Sequence, residues 1–162
     1  MVCLTCGSLE ADTHSQCAQC SSFLGYAAEG RGYLPQLLHL QQGLKDLTIT
    51  AEQGEDRLVR LDEVLATTLR QMDELGAQIT SLPLDEVQSG TVGGFLHPVR
   101  DSLSQLREVA ANLSLDGNWS EAEWNSLKAA QARLLQANQG VAYLYQFLGD
   151  LAARQGHAWP PP

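Results

Sequence analysis

The chain has 162 residues and a formal net charge of −9, from 10 Lys and Arg against 19 Asp and Glu. An acidic chain whose basic residues are spread singly repels nucleic-acid phosphates, which argues against nucleic-acid binding. Hydrophobic residues make up 44% and aromatic residues only 6%, with Leu and Ala prominent, so the composition favours helices over sheets.

The chain starts without a charged segment followed by an apolar stretch, so we predict no secretory signal. No apolar run approaches the roughly 20 residues that cross a bilayer. We therefore expect a soluble, cytoplasmic protein with no membrane partner, in a compartment where disulfides are rare.

The four cysteines form two Cys-x-x-Cys pairs, with ten residues between the pairs, at Cys3, Cys6, Cys17 and Cys20. In a reducing compartment such pairs indicate a metal site. Two of these turns can complete a tetrahedral four-sulfur site, which suits Zn²⁺ and also iron. Because four protein ligands leave no open position for water, we expect a structural site without catalysis.

The pattern Cys3-x-x-Cys6-Gly7 followed by Cys17-x-x-Cys20 resembles the short zinc ribbon at the N-terminus of many bacterial proteins. Leu9 stands where that family has an apolar residue, and the resemblance covers residues 1–25. It implies one structural zinc ion per chain and no activity for the remaining residues. Gly7 follows the first pair, where the chain often needs a positive φ.

Other interpretations of this segment stay open. An iron centre of the rubredoxin type and a thiol–disulfide redox pair use the same residue types. His14 lies between the two cysteine pairs and is an alternative ligand to one cysteine, or an exposed loop residue.

Residues 26–33 are rich in glycine and predict a linker between the ribbon and a helical domain over residues 34–156. From residue 37 to residue 82, apolar positions recur in alternating steps of three and four, which is a heptad seam. We predict one continuous helix over about 34–80. The alternative is a bend near residues 48–54, where Thr50 and Gln53 have the spacing of a capping box.

Residues 81–94 contain proline and several glycines and predict a loop, with Pro98 in the first turn of a second helix. A third helix is predicted from an N-cap at Ser120 to about Arg154. Glu123 would close its capping box, and two tryptophans would form a hydrophobic staple around it. Residues 157–162 predict a loose tail.

These helices predict a mainly α fold, in which the ribbon is followed by an antiparallel bundle or coiled coil of three, possibly four, helices. Because the three predicted lengths differ, part of the first seam would be left uncovered, which favours a homodimer or a contact with a partner helix. The predicted interface residues are Leu37, Leu40, Leu44 and Leu47. If the chain bends at 48–54, a four-helix bundle closes with nothing spare.

The sequence contains no metalloprotease, P-loop or serine-hydrolase motif, and no small-molecule substrate is evident. We therefore expect a non-enzymatic scaffold or adaptor that works through protein–protein interaction. Two alternatives are a nucleic-acid-associated zinc-ribbon factor and a metal or thiol redox protein. The first requires a basic ribbon, yet residues 1–32 carry a single basic residue, Arg31, against three acidic ones.

Overall fold

The computed structural model describes residues 1–10, 14–24, 33–80 and 82–154. These residues are mainly helical and form α1 (Tyr33–Lys45), α2 (Ala51–Thr80), α3 (Glu86–Ala111) and α4 (Glu121–Arg154). Within the same ranges, β-structure is limited to two isolated bridges in the cysteine segment. The predicted tail and all but the last residue of the predicted linker lie outside the described residues.

Helices α2 and α3 run antiparallel, and two ion pairs across them show the register. Arg107 contacts Asp62, and Arg100 contacts Asp73 at 3.4 Å, so residue numbers rise on one helix as they fall on the other. The carboxylate of Asp62 has a lowered pKa because Arg107 donates hydrogen bonds to it. Helix α3 also packs along α4.

Helix α1 closes the bundle between α2 and α4. The indole Nε1 of Trp124 donates to Gln41 Oε1 at 2.9 Å, and the backbone N of Leu34 donates to Gln131 Oε1 at 3.2 Å. These two pairs show that α1 and α4 are also antiparallel. The helices therefore follow one another around the bundle in chain order.

The core consists mostly of leucines from all four helices. The main cluster includes Leu37, Leu40, Leu44, Leu61, Leu65, Leu103, Leu106 and Leu127. A second cluster is formed by α2, α3 and α4, without α1. It includes Leu75, Ile79, Val92, Leu144 and Leu148. The heptad leucines of the sequence are thus largely used inside one chain.

The prediction of one continuous helix over 34–80 is wrong, and the alternative bend is what the structure contains. Leu47 has φ of 57°, and the backbone N of Thr48 returns to the carbonyl of Gly43 at 2.9 Å, which is a Schellman-type helix end. Gly43 makes the turn possible because a Cβ there would lie 2.3 Å from Ile49 Cδ1. Ile49 is buried against this glycine and holds the turn closed.

The capping box predicted at the bend is confirmed. The backbone N of Gln53 donates to Thr50 Oγ1 at 3.2 Å, and the backbone N of Thr50 donates to Gln53 Oε1 at 3.0 Å. These bonds satisfy amide groups that a helix start leaves without partners. The bend therefore carries both a stop signal for α1 and a start signal for α2.

The prediction of a loop over 81–94 is wrong for most of that range, and Pro98 lies inside α3 instead of in its first turn. The helix starts at a capping box in which Gln88 N donates to Asp85 Oδ1 at 2.8 Å. Val92 is 5% exposed and belongs to the second core cluster. Packing of this kind outweighs the helix cost of glycine, about 1 kcal/mol per residue.

The predicted start of α4 is confirmed. Glu123 N donates to Ser120 Oγ at 3.2 Å, and Ser120 N donates to Glu123 Oε2 at 2.6 Å. The rings of Trp119 and Trp124 flank this box with centroids 5.6 Å apart. The local sequence therefore specifies where the longest helix begins.

We expect Ser120→Ala to lower the free energy of unfolding by about 1 kcal/mol, because the amide of Glu123 would lose its acceptor. Urea unfolding followed by far-UV circular dichroism measures this change. Ser104→Ala is the matched control, since Ser104 is exposed in the interior of α3 and alanine is the better helix former there. Equal stability of the two variants would contradict the capping role.

Candidate metal centre

The structure brings the four cysteine sulfurs together. All four Sγ atoms lie within 4.8 Å of one another. The Sγ atoms of Cys3 and Cys20 are 3.7 Å apart, and those of Cys6 and Cys17 are 3.5 Å apart. A tetrahedral site with Zn–S bonds of about 2.3 Å separates its sulfurs by about 3.8 Å. The arrangement is consistent with a zinc-binding site.

Two similar turns position the sulfurs, and we call them the first knuckle (residues 2–9) and the second knuckle (residues 16–23). In the first knuckle, Gly7 N donates to the carbonyl of Cys3 at 2.8 Å, and Cys3 N donates to the carbonyl of Ser8 at 2.9 Å. The second knuckle repeats both bonds at 2.8 and 2.9 Å. An isolated antiparallel bridge closes each knuckle at its ends.

The residue after each cysteine pair has a left-handed backbone. Gly7 has φ of 78°, which confirms the sequence prediction, and Ser21 has φ of 60° at the equivalent position. Serine pays a steric cost there that glycine avoids. Only the first cysteine pair is followed by glycine, so the sequence gives no signal for a left-handed residue at Ser21.

Two serine hydroxyls lie against the sulfurs. Ser8 Oγ is 3.2 Å from Cys6 Sγ and 3.1 Å from Cys17 Sγ, and Ser22 Oγ is 3.2 Å from Cys20 Sγ. A serine hydroxyl can donate to a thiolate at this distance, but it has one proton and so donates to one acceptor at a time. Neither serine was predicted as part of the site, although each follows its cysteine pair in a shared Cys-x-x-Cys-x-Ser pattern.

Glu10 is a buried carboxylate beside the sulfurs, with 7% exposure. The Cys17 thiol donates to its Oε1 at 3.1 Å, as does Ser8 Oγ at 2.8 Å, and the backbone N of Ala18 donates to Oε2 at 3.2 Å. These bonds, with the largest share from Cys17, lower the pKa of Glu10 to about 2. His14 is exposed, and its Nδ1 lies 3.4 Å from Glu10 Oε2, outside the group of four sulfurs.

The thiols differ in acidity because their surroundings differ. Burial raises the pKa of Cys3 to about 12, whereas hydrogen bonding with Ser8 lowers the pKa of Cys6 to about 6. A bound divalent cation would supply the positive charge that keeps all four sulfurs ionised. The chain's own contribution is to bring the sulfurs together and to place donors around them.

A side chain of helix α2 binds the backbone of the first knuckle. Arg60 Nη1 of α2 donates to the carbonyls of Leu4 at 2.8 Å and Thr5 at 2.6 Å. Arg57 lies one turn earlier on α2. Burial lowers the pKa of Arg57, while the negative charge of Cys3 and Cys20 as thiolates opposes this effect.

Helix α1 contributes a second contact to the same knuckle. The backbone N of Leu4 donates to Gln36 Oε1 at 2.8 Å, and Gln36 Nε2 donates to the carbonyl of Val2 at 3.2 Å. The Leu4 side chain is 2% exposed and belongs to the main core cluster of the bundle. The cysteine segment and the bundle therefore share a hydrophobic core at this residue.

The four predicted interface leucines separate into two kinds. Leu37, Leu40 and Leu44 are at most 3% exposed and lie in the chain's own core, whereas Leu47 is 88% exposed. Contact of this segment with another chain stays a prediction, and Leu47 is the one of the four that a partner can reach in this structure.

Comparison with models of protein families, with curated proteins and with solved structures finds no match. In the part of the chain that the structure describes, no helix combines the length and the apolarity needed to cross a membrane.

Proposed function

We propose that this protein is a non-enzymatic scaffold or adaptor, in which a structural zinc ribbon is fixed to a four-helix bundle that associates with itself or with a protein partner. The observation that carries the proposal is Leu47. It combines near-complete exposure with a left-handed backbone, at the turn between α1 and α2.

Leu47 lowers the stability of the fold through its strained backbone, and its side chain adds little stability in return. The left-handed conformation is unfavourable by about 1–2 kcal/mol for a residue with a Cβ, and helix ends of this type normally place glycine there. An 88% exposed side chain buries almost no apolar surface in return. A leucine in this position is understandable if another protein covers it.

The metal in the proposal is zinc, in a structural role. Four thiolate ligands suit Zn²⁺ and complete its tetrahedron, which leaves no position for a reacting water molecule. Iron is the competing ion for the same ligands. Elemental analysis and the visible absorbance of the purified protein distinguish them, because a zinc site of this type is colourless.

The proposal predicts opposite effects of Leu47→Gly on stability and on association. Glycine adopts the left-handed conformation without strain, so the free energy of unfolding should rise by about 1 kcal/mol. Association should weaken, because the exposed side chain is gone. Urea unfolding measures the first effect, and sedimentation equilibrium over a wide concentration range measures self-association.

Leu47→Ala is the matched variant, since it removes the side chain and keeps the Cβ that causes the strain. It should weaken association without raising stability. A benzophenone side chain at position 47 tests for a different protein partner by crosslinking in extract. A protein that stays monomeric at every concentration and gives no specific crosslink would contradict the proposal.

A further inference from the structure

We propose that Arg60 and Gln36 are positioning residues that couple the metal centre to the helical bundle, so that metal binding stabilises the bundle and the folded bundle raises metal affinity. The inference rests on the proposed zinc ribbon and goes beyond it, because a structural ribbon can fold without contributing to a neighbouring domain.

The coupling begins at Leu4, which lies between the two ligands of the first knuckle. Its side chain packs in the main core cluster with Leu37 and Leu61, from α1 and α2. The cysteines on either side of it, Cys3 and Cys6, fix its backbone when they hold a metal. Metal binding would therefore order a residue that is also part of the bundle core.

Both backbone groups of Leu4 are satisfied by the bundle. Its N–H is bonded to Gln36 Oε1, and its carbonyl is bonded to Arg60 Nη1, each at 2.8 Å. The Leu4–Gln36 bond is buried, and buried backbone groups without partners are strongly disfavoured. The side chains of Gln36 and Arg60 thus fix where the first knuckle lies on the bundle and how deeply Leu4 is buried.

Charge adds to this geometry. A divalent ion held by four thiolates is an anionic centre, and arginines are suited to stabilise such groups near them. The guanidinium of Arg60 runs along the first knuckle, since a Cβ on Gly7 would lie 3.9 Å from Arg60 Nε.

Linkage requires the coupling to be reciprocal. If the bundle holds the knuckle in its metal-binding shape, it raises the metal affinity. Metal binding then stabilises the folded bundle by the same coupling free energy. Replacement of groups that support metal ligands typically lowers metal affinity about 10- to 100-fold. A variant that loses the hydrogen bonds of Arg60 or Gln36 to the first knuckle should therefore lose metal affinity and metal-dependent stability together.

The test compares full-length wild type with Arg60→Met, which keeps the length of the side chain and removes its hydrogen bonds and charge. Zinc affinity is measured by competition with a chromophoric chelator. Urea unfolding of the helical signal is measured with zinc and with chelator. We expect Arg60→Met to bind one zinc ion about tenfold more weakly, and the zinc-dependent gain in stability to fall by about 1.4 kcal/mol.

Arg70→Met is the matched control, because Arg70 is an exposed residue of α2 whose side chain contacts Thr67 on its own helix. It should leave zinc affinity and the zinc-dependent gain unchanged. Gln36→Met provides a second variant that removes both hydrogen bonds of Gln36, in case Arg60→Met does not fold. A purely structural role of either residue would change stability with and without zinc equally.

Two results would overturn the proposal at different levels. Wild-type zinc affinity and an unreduced zinc-dependent gain in both variants would exclude the coupling and leave the zinc ribbon intact. Wild-type protein without any bound metal in elemental analysis would overturn the zinc ribbon itself, and the coupling with it.

Discussion

Cys17→Ser is expected to abolish stoichiometric zinc binding and to destabilise the protein in the presence of zinc. A serine hydroxyl does not ionise near neutral pH, so it cannot replace a thiolate ligand. Cys17 is also 2% exposed and packs with Cys3 and Leu24 in the small core of the cysteine segment. The substitution therefore removes one of the four proposed ligands at a buried position.

The size of the effect follows from mass action. Free zinc at about 100 times its dissociation constant stabilises a protein that binds it only when folded by about 2.7 kcal/mol. Cys17→Ser should lose this gain, so that its unfolding curve with zinc resembles that of the wild type with chelator. Metal content by elemental analysis and urea unfolding measure the two parts of the prediction.

Gln19→Ser is the matched control for this substitution. Gln19 lies in the same knuckle, between Cys17 and Cys20, and its side chain is exposed. This variant should keep one zinc ion per chain and its zinc-dependent stability. If Cys17→Ser kept both as well, Cys17 would not be a ligand and the four-sulfur site would be refuted.

Leu37→Ala is expected to lower the free energy of unfolding by about 3 kcal/mol, within the range of about 2–5 kcal/mol observed for buried leucines. Leu37 is fully buried in the main core cluster, so truncation leaves a cavity. Its neighbour Leu38 is 57% exposed and provides the control in the same helix. Leu38→Ala should change stability by no more than about 0.5 kcal/mol.

This pair of variants also tests the interface that the heptad pattern predicts. If Leu37 contacts a partner chain, Leu37→Ala should weaken association while the stability of the isolated chain stays close to that of Leu38→Ala. If Leu37 belongs to the chain's own core, stability falls at every protein concentration. Urea unfolding at two concentrations well apart distinguishes the two results.

The heptad seam illustrates the limit of pattern reasoning about helices. A run of leucines at steps of three and four shows that one face of a helix is buried, and this inference holds for Leu37, Leu40 and Leu44. The pattern does not say whether the covering helix belongs to the same chain. That depends on where the chain turns back, which here is decided by Ile49 packing on Gly43.

Helix α3 shows that glycine and proline residues are also an incomplete guide to where a helix begins. Pro83 and three glycines argue for a loop over residues 81–94 when only neighbouring residues are considered. In the structure, α3 packs along both α2 and α4, and Val92 is buried between them. The free energy of that packing is absent from any local signal, so the beginning of this helix could not be placed correctly.

The sequence alone determines those features whose causes lie within a few residues of one another. The cysteine spacing brings each pair of sulfurs into one turn. The capping boxes at Thr50 and Ser120 start α2 and α4 through hydrogen bonds between residues three positions apart. Only the tertiary structure decides that Leu4 enters the bundle core, that Arg60 and Gln36 hold its backbone, and that Leu47 stays exposed. The physical reason is that these contacts join residues distant along the chain, and their free energy exists only once the helices have packed.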